Sequence, residues 1–180
     1  MKLTFYDPPL ARGTATIHVK KGHFPFYVTT LKPQSVISCL RGDYNKQLIL
    51  HTKIAEYLKE TDGRLYFLST TNVFDNDLSK PHYEDDLPNS CTDYGQYKIE
   101  CEKKIIETLH DNACILRLPQ VWGKDSPRMK HLLKSLTNNE KIVVCPKLFF
   151  NTNTDIVIAK NGVCVVMERK TGTGNIKFTN

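Results

Sequence analysis

The sequence predicts an α/β fold in which helices cover both faces of a parallel sheet, and three observations support this prediction. Short apolar runs at 35–40, 64–69 and 113–118 have the length of strands. Between them lie segments whose apolar residues recur at helical spacing. Strands with nearly continuous apolar sequence, joined by helices, are typical of parallel sheets buried on both faces. Since ligands of such sheets bind beyond the carboxyl ends of the strands, the loops after Cys39, Leu68 and Leu118 are expected to share one cleft.

The segment before Lys32 has the least regular pattern. Residues 14–20 alternate as a short strand does, and residues 24–28 are aromatic and strand-like but interrupted by Pro25. No Gly-rich turn followed by a helix occurs here, because Gly13 and Gly22 are too far apart.

From Ser35 onward the elements follow one another regularly. The strand at 35–40 ends at a turn over 41–43, and a helix follows that ends at Gly63. Its apolar face is formed by Leu48, Leu50, Ile54, Ala55 and Leu58. With the strand at 64–69, this gives a strand, helix and strand in about 35 residues, the size of a right-handed crossover unit.

The same order then repeats. A polar loop at 75–92, a helix at 93–110 and a strand at 113–118 are predicted, followed by a basic helix at 127–137. Beyond it, the sequence predicts a strand at 142–144, the start of a helix at 156–159, and strand or helix end at 163–167. The Gly-rich cluster at 171–174 precedes an apolar strand-like run rather than a helix, so it is interpreted as a turn and not as a phosphate cradle.

Composition excludes several classes of protein. The 180 residues are 40% hydrophobic and 24% charged. A chain of this size can bury roughly 70% of its unfolded surface, so it does not need disulfides or a structural metal to close a core. Six cysteines are dispersed without a CxxC pair or a His partner at metal-ligand spacing, which predicts a reduced, cytoplasmic protein with no metal site.

The net charge and the hydropathy pattern indicate which kinds of partner the protein is expected to bind. The net charge is +6, but Lys and Arg alternate with Asp and Glu along the chain, so we expect no nucleic-acid partner. The first residues are interrupted by Pro8, Pro9 and Arg12, and no apolar run reaches the length of a membrane span. We therefore expect no membrane partner, and homodimerisation is left open.

Tyr94 and Lys98 form the most informative pair of residues. One helical turn separates them, so their side chains share a face of the predicted helix. A tyrosine titrates near pH 10 in water, but an ammonium about 4 Å away at an effective dielectric near 20 favours the phenolate by about 4 kcal/mol. That would lower the pKa of Tyr94 toward neutral pH, so that Tyr94 could act as a proton donor. Thr70 is placed to hold a carbonyl oxygen.

The spacing alone does not settle this role. An exposed tyrosine beside a solvated lysine is common in helices and is the structural alternative. The functional interpretation depends on context, because the hydroxyl run 69–71 ends the preceding strand and the helix with Tyr94 is the next helix along the chain.

The ordered motifs resemble the extended short-chain dehydrogenases/reductases, and within them the dTDP-4-dehydrorhamnose reductase-like sugar nucleotide reductases. The matching segments are Leu68-Ser-Thr-Thr-Asn-Val-Phe-Asp75, Pro81-His-Tyr-Glu-Asp-Asp-Leu-Pro-Asn89, Tyr94-Gly-Gln-Tyr-Lys98 with Glu102, and Leu116-Arg-Leu-Pro-Gln-Val-Trp-Gly123. Thr154-Asp155-Ile156 is similar to a segment that precedes a helix in the smaller substrate lobe. The resemblance extends over about residues 33–159.

The resemblance implies a Rossmann-like domain with an incomplete first half over 1–150 and part of a small C-terminal substrate lobe over 151–180, short at both ends. It implies Thr70, Tyr94 and Lys98 as catalytic residues. The expected cofactor is NADP or NAD, bound by Ser38, Cys39, Leu40, Ser69, Tyr94, Lys98, Pro119 and Val121. The expected substrate is a nucleotide-activated 4-keto sugar.

Two other functions stay open at this stage. One is a non-catalytic NAD(P)-binding, regulatory or scaffold protein, or a truncated remnant without cofactor, since the pyrophosphate turn of the family has no match. The other is a sugar nucleotide epimerase that uses the same residues. Departures at Thr71, Asn72, Gln120 and Trp122 leave the sugar and base undetermined. His51 is expected to be a packing residue, and the basic residues of 128–134 are expected to form a solvated helix face.

Overall fold

The computed structural model describes residues 2–6, 14–18, 32–40, 42–142, 152–154 and 156–158. The chain divides into two compact units, residues 1–117 and 118–180. The domain boundary expected at residue 150 lies inside the second unit and stays a prediction. The segments expected at 24–28, 163–167 and 171–174, and residues 143–144 of the expected strand, lie outside the described residues.

The first unit is built on a five-stranded sheet in the order β2-β1-β3-β4-β5, as far as the described residues show. Its strands are β1 (Lys2–Tyr6), β2 (Thr14–His18), β3 (Ser35–Ser38), β4 (Arg64–Thr70) and β5 (Ala113–Leu118). Strands β3 and β4 are parallel, with Ser35 opposite Arg64 and Ser38 opposite Phe67. The predicted Rossmann-like crossover is therefore confirmed, and both strands end at the same edge.

Strand β1 was not predicted, and it runs antiparallel to β3. Leu3 pairs with Ser38 and Tyr6 with Ser35. In a doubly wound dinucleotide-binding sheet the Gly-rich turn follows the carboxyl end of a parallel strand at this position. Because β1 is antiparallel, its carboxyl end lies at the sheet edge opposite to the ends of β3 and β4. The incomplete first half of the sheet is thus filled by strands of another topology.

Two helices of the first unit begin at side-chain caps. The helix α1 (Tyr44–Glu60) begins after Asp43, whose carboxylate accepts the N–H of Lys46 at 2.9 Å. The helix α2 (Asp93–Leu109) begins after Thr92, whose hydroxyl accepts the N–H of Gly95 at 3.2 Å. Both helices match their predicted positions, because the apolar spacing and the capping residues agree.

The core lies between β3, β4, α1 and α2. Three consecutive residues of β4, Leu65, Tyr66 and Phe67, are at most 1% exposed, so both faces of this strand are covered. One apolar cluster joins the sheet to the two helices: Val36, Leu50, Ile54, Ala55, Leu58, Leu65, Phe67, Tyr97, Cys101, Ile105 and Leu109. The predicted apolar face of α1 is therefore confirmed as the buried face.

The described part of the second unit contains a short parallel pair of strands, one longer helix and one short helical segment. Strand β6 (Gln120–Trp122) pairs with β7 (Thr152–Thr154). The helix α3 (Pro127–Thr137) has Ser126 as its cap and proline at its first turn, where a missing N–H costs nothing. Residues 156–158 are helical, as expected. Across the described ranges, no helix combines the length and apolar character that a membrane span requires.

Candidate active site

Tyr94 and Lys98 lie one turn apart at the start of α2, but their side chains differ in burial. Tyr94 is 38% exposed, whereas Lys98 is 6% exposed. The ammonium of Lys98 lies 5.9 Å from the centroid of the Tyr94 ring and 4.5 Å from that of Phe67. The tyrosine is therefore accessible to a ligand, and the cation is held inside the protein beside it.

The ammonium of Lys98 is fixed by the strand that carries Thr70. Its Nζ donates to the carbonyl oxygen of Leu68 at 2.8 Å. An ammonium has three N–H donors, so this bond uses one of them. Burial lowers the pKa of Lys98, while the neighbouring Cys101 and Glu102 act in the opposite direction. Lys98 is thus a buried cation with further donors available to a ligand.

Thr70 ends β4 and is 7% exposed. Its hydroxyl accepts the backbone N–H of Asn72 at 3.2 Å and donates to Asn72 Oδ1 at 3.1 Å. These bonds begin a short 3₁₀ turn over Thr71–Phe74. The structure therefore places Thr70 at the predicted edge, with its hydroxyl occupied by a local turn.

The loop between this turn and α2 is tied to Asp75. The carboxylate accepts from Ser90 Oγ at 2.7 Å, from the N–H of Cys91 at 2.9 Å and from Thr92 Oγ1 at 2.7 Å. Burial alone would raise the pKa of Asp75, but these hydrogen bonds outweigh it and lower the pKa. Asp75 thereby fixes the residues that precede Tyr94 and the start of its helix.

Besides Tyr94 and Lys98, the residues predicted to bind the cofactor fall into three groups. Ser38, Leu40 and Ser69 are at most 7% exposed, and Cys39 is exposed. Ser38 Oγ lies 2.7 Å from Nε2 of His51, and the Ser69 hydroxyl donates to the carboxylate of Glu102. The hydroxyls of the two serines are therefore engaged inside the first unit. Pro119 and Val121 are half-buried residues of the second unit.

His51 is 1% exposed and confirmed as a packing residue. Its Nδ1 lies 3.8 Å from Cys101 Sγ, and its ring packs edge-on against Phe67 at 4.8 Å. Burial, with the positive charge of Lys98 as the second cause, lowers the pKa of His51 to about 3. His51 is therefore neutral at physiological pH and adds no charge beside Lys98.

Two tyrosines that the sequence analysis did not select pack beside Tyr94. Tyr44, the first residue of α1, is 42% exposed and stacks on Tyr97 with centroids 4.7 Å apart. The Tyr44 and Tyr94 rings lie 6.1 Å apart. Tyr97 donates its hydroxyl to Gln47 Oε1 at 3.0 Å, which joins α2 to α1. The signal available in the sequence was an aromatic residue directly after the predicted turn 41–43.

An ion pair between Glu102 and Arg117 lies next to the candidate site, because Glu102 also accepts from the Ser69 hydroxyl. Arg117 Nη2 donates to Glu102 Oε2 at 2.8 Å, and the Glu102 side chain is 3% exposed. Arg117 also donates from Nη1 to the carbonyl of Glu84 at 3.0 Å. Both residues belong to the matching motifs of the sequence, where no role was assigned to them. The structure shows that they join β5, α2 and the loop 75–92.

The model of the RmlD substrate binding domain matches residues 43–168. This chain belongs to that family. The family match includes Thr70, Tyr94, Lys98 and the Glu102–Arg117 pair, so the resemblance derived from the motifs is confirmed.

The proteins similar in sequence to this chain are named as a subunit of a methionine adenosyltransferase. The methionine adenosyltransferase 2 subunit beta of Bos taurus is 37% identical over 60 residues, which cover 33% of this chain and 17% of that protein. The same subunit of Danio rerio is 29% identical over 107 residues, covering 54% of this chain and 32% of the relative. The chain therefore spans at most about a third of these relatives.

Solved structures share the fold over most of the chain. A dTDP-4-dehydrorhamnose reductase from Clostridium acetobutylicum has a TM-score of 0.70 at 20% identity, covering 86% of this chain and 59% of its own. The Bacillus anthracis reductase in complex with NADP gives 0.66 at 21%, covering 86% and 60%. A UDP-N-acetylglucosamine 4-epimerase from Bacillus cereus gives 0.67 at 17%, covering 87% and 61%. These likenesses show a common Rossmann-like fold.

Within the described part of the chain, no group of three or more His, Cys, Asp or Glu side chains is arranged to hold a metal ion.

Proposed function

We propose that this chain is an NAD(P)-dependent reductase of a nucleotide-activated 4-keto sugar. The observation that carries the proposal is the buried ammonium of Lys98 beside the accessible ring of Tyr94, at the edge where β3 and β4 end. A cation held in this way favours the phenolate and so makes a tyrosine an effective proton donor near neutral pH. Similar structures are named as reductases and epimerases of nucleotide sugars, which supports this substrate class.

The residues at this edge fit the nicotinamide and ribose end of NADP or NAD. Lys98 has donors beyond its bond to Leu68, which suit the hydroxyls of a ribose. The fit does not extend to the pyrophosphate end of the cofactor, because no Gly-rich turn precedes Pro33 and β1 is antiparallel. The residues of a standard Rossmann turn therefore do not hold the phosphates in this chain.

The cofactor, when bound, supplies a hydride to the carbonyl carbon of the sugar. Tyr94 donates the proton of its hydroxyl to the carbonyl oxygen, and Lys98 stabilises the phenolate that remains. Thr70 donates a hydrogen bond to the same oxygen, for which its hydroxyl must turn away from Asn72 Oδ1. Tyr94 and Thr70 thus act on the carbonyl oxygen, where negative charge develops, and Lys98 acts through Tyr94.

The test is turnover of NADPH by the purified full chain with a dTDP- or UDP-linked 4-keto sugar. Tyr94→Phe is expected to lower kcat by about 100-fold or more, the usual effect of losing a general acid. Lys98→Met should reduce both kcat and cofactor affinity. The matched control is Tyr83→Phe, which removes a hydroxyl from a tyrosine that is 66% exposed. Absence of turnover with NADPH and NADH, or an unchanged Tyr94→Phe variant, would contradict the proposal.

A second candidate is a non-catalytic binding or regulatory protein of the same fold. The antiparallel β1 favours it, and so do the relatives named as subunits of a methionine adenosyltransferase. Titration of the chain with NADPH, followed by nicotinamide fluorescence, shows whether the cofactor binds, and the turnover assay then separates the two functions. Binding with turnover supports the reductase, binding without turnover supports a non-catalytic NAD(P)-binding protein, and no binding at millimolar cofactor supports a regulatory or scaffold role without cofactor. An epimerase would instead retain NAD through purification.

A cytoplasmic location and a homodimer stay predictions.

A further inference from the structure

Tyr44 places an aromatic ring at the edge of the sheet where the candidate site lies. It is the first residue of α1, the helix that follows the carboxyl end of β3, and Tyr94 is the second residue of α2, the helix that follows β4. Because β3 and β4 are parallel, both helices begin at the same edge of the sheet. The centroids of the two rings are 6.1 Å apart, and both residues are exposed. A ligand bound against Tyr94 is therefore within reach of the Tyr44 ring.

One face of the Tyr44 ring is covered, and this contact holds the ring in place. It stacks on the ring of Tyr97 with centroids 4.7 Å apart and an interplanar angle of 4°. Tyr97 is buried and donates its hydroxyl to Gln47, whose Nε2 in turn donates to the carbonyl oxygen of Gly42 at 2.7 Å. A stack covers one face only, and Tyr44 remains 42% exposed. The open face is therefore oriented before a ligand binds, which reduces the entropic cost of binding.

A short turn keeps Tyr44 close to the end of β3. Residues 39–43 separate Tyr44 from the last residue of that strand. Within this turn, Gly42 has a φ of 129°, a conformation that residues with a side chain rarely adopt. Asp43 then caps α1, so the helix begins at Tyr44 itself. The ring therefore comes soon after the segment 38–40, which is predicted to bind the cofactor.

The cofactor is the ligand that this position favours. Tyr44 belongs to the first unit, residues 1–117, whereas the expected substrate lobe, residues 151–180, belongs to the second unit. In the site, the ammonium of Lys98 has donors that suit the hydroxyls of a ribose. The nicotinamide ring is bonded directly to the ribose at this end of NADP or NAD. A flat phenol ring with one open face is a suitable partner for such a flat heteroaromatic ring.

We propose that Tyr44 is a cofactor-binding residue whose open ring face stacks on the nicotinamide ring of NADP or NAD. The identity of the cofactor rests on the proposed function. The contact strengthens binding at the nicotinamide end, in a chain whose fit does not extend to the pyrophosphate end. The Tyr44 ring therefore acts on the nicotinamide half of the cofactor and leaves the adenine half unaffected.

Proton NMR of NADPH and NADH, added to the full chain, tests the stack directly. An aromatic ring shifts the resonances of protons above its face to higher field, so the nicotinamide protons should move upfield on binding. Intermolecular nuclear Overhauser effects should join these protons to the ring protons of Tyr44. The adenine protons of the same molecule are the internal control and should show no Overhauser effect to Tyr44. A bound cofactor whose nicotinamide protons show no contact with Tyr44 would overturn the proposal.

Three variants separate the ring of Tyr44 from its hydroxyl and from other exposed tyrosines. Tyr44→Leu removes the ring and should weaken the binding of NADPH and NADH by about tenfold, as expected for the loss of one aromatic stack on a flat ring. Tyr44→Phe keeps the ring and should bind within about twofold of the unmodified chain. Tyr83→Leu is the matched control, at an exposed tyrosine of the loop 75–92, and should leave the affinity unchanged. Equal affinities of Tyr44→Leu and the unmodified chain would contradict the stack.

Tyr44→Leu also removes the contact with Tyr97, so its folded state is checked by circular dichroism at the temperature of the titration. If this variant does not fold, the Overhauser effects in the unmodified chain decide the question, because they need no substitution.

The outcomes separate this proposal from the proposed function. Binding that depends on Tyr44 but is not followed by turnover supports the stack and contradicts the reductase. Turnover with binding that does not depend on Tyr44 contradicts the stack and supports the reductase. If neither NADPH nor NADH binds at millimolar concentration, both proposals fail.

Discussion

The ion pair of Glu102 and Arg117 illustrates how single residues organise this site. Glu102 accepts from Ser69 on one side and from Arg117 on the other, and its side chain is 3% exposed. A charge buried to this extent is stable only while its partners remain, because transfer from water costs several kcal/mol. Arg117 in turn reaches Glu84 and Phe74, so one pair supports the strand end and the loop together.

Glu102→Gln is expected to destabilise the folded chain by about 3 kcal/mol, since it leaves the half-buried guanidinium of Arg117 without its carboxylate. Urea unfolding of the full chain at pH 7 measures this change. The matched control is Glu107→Gln in the exposed pair with Lys103, whose atoms are 3.9 Å apart. Loss of such a surface pair costs less than about 1 kcal/mol. Equal effects of the two variants would contradict the importance of burial.

The sequence predicted that Tyr94 and Lys98 share one face of α2, but not how far each side chain is buried. A spacing of four residues places Tyr94 and Lys98 together whatever surrounds them. That Tyr94 is accessible while Lys98 is buried depends on Leu68 and Phe67, which come from another element. The same limit applies to His82 and Phe74, whose contact depends on the course of the loop rather than on any periodic pattern.

At the scale of elements, the start of α2 is set by close packing against the preceding loop. Gly95 is buried, and a Cβ at this position would lie 2.6 Å from the carbonyl oxygen of Asn72 and would overlap Ser90 Oγ. Only glycine therefore allows α2 to approach the loop that leaves Thr70. The capping Thr92 precedes it by three residues, so the cap and the glycine together fix the first turn that carries Tyr94.

Gly95→Ala should lower the free energy of unfolding by about 2 kcal/mol, because the overpacking outweighs the gain of about 1 kcal/mol in helix propensity. Thermal unfolding monitored by circular dichroism measures it. Glu100→Ala, at an exposed position of the same helix, is the control and should change stability by no more than about 0.5 kcal/mol. A stabilised Gly95→Ala variant would show that the loop moves freely away from α2.

Strands β3, β4 and β5 and helices α1, α2 and α3 were predictable because their local and tertiary signals agree. Apolar spacing, the caps at Asp43 and Thr92, and Pro127 at the start of α3 all indicate the helices that form. Strands β1, β6 and β7 were not predicted, since each is a run of only three to five residues and so carries a weak sequence signal. Their pairing is decided by which strand edge is available.

At the scale of the whole molecule, the buried His51 couples stability to pH. Its pKa is lowered from 6.5 to about 3 in the folded chain, mainly by burial and secondly by Lys98. Between these values the unfolded chain binds a proton at His51 that the folded chain does not. The contribution of His51 to stability is therefore complete above about pH 6.5 and is lost progressively as pH falls toward 3.

Unfolding free energies between pH 6.5 and pH 4 are expected to fall with a slope that contains up to about 1.4 kcal/mol per pH unit from His51. His51→Asn should reduce this slope, since asparagine does not titrate. His131→Asn, at an exposed position of α3, should keep it. Urea unfolding at several pH values provides the measurement, and identical slopes for the unmodified chain and His51→Asn would contradict the assignment.

The sequence by itself determined the crossover unit, the two capped helices, the family and the order of Thr70, Tyr94 and Lys98 along the chain. It could do so because apolar periodicity, capping and motif spacing act over a few residues. Only the tertiary structure decided that β1 runs antiparallel beside β3, that Lys98 is buried next to an accessible Tyr94, and that His82 and Arg117 both contact Phe74. These features depend on contacts between distant segments, where burial and hydrogen bonding set direction, depth and charge state.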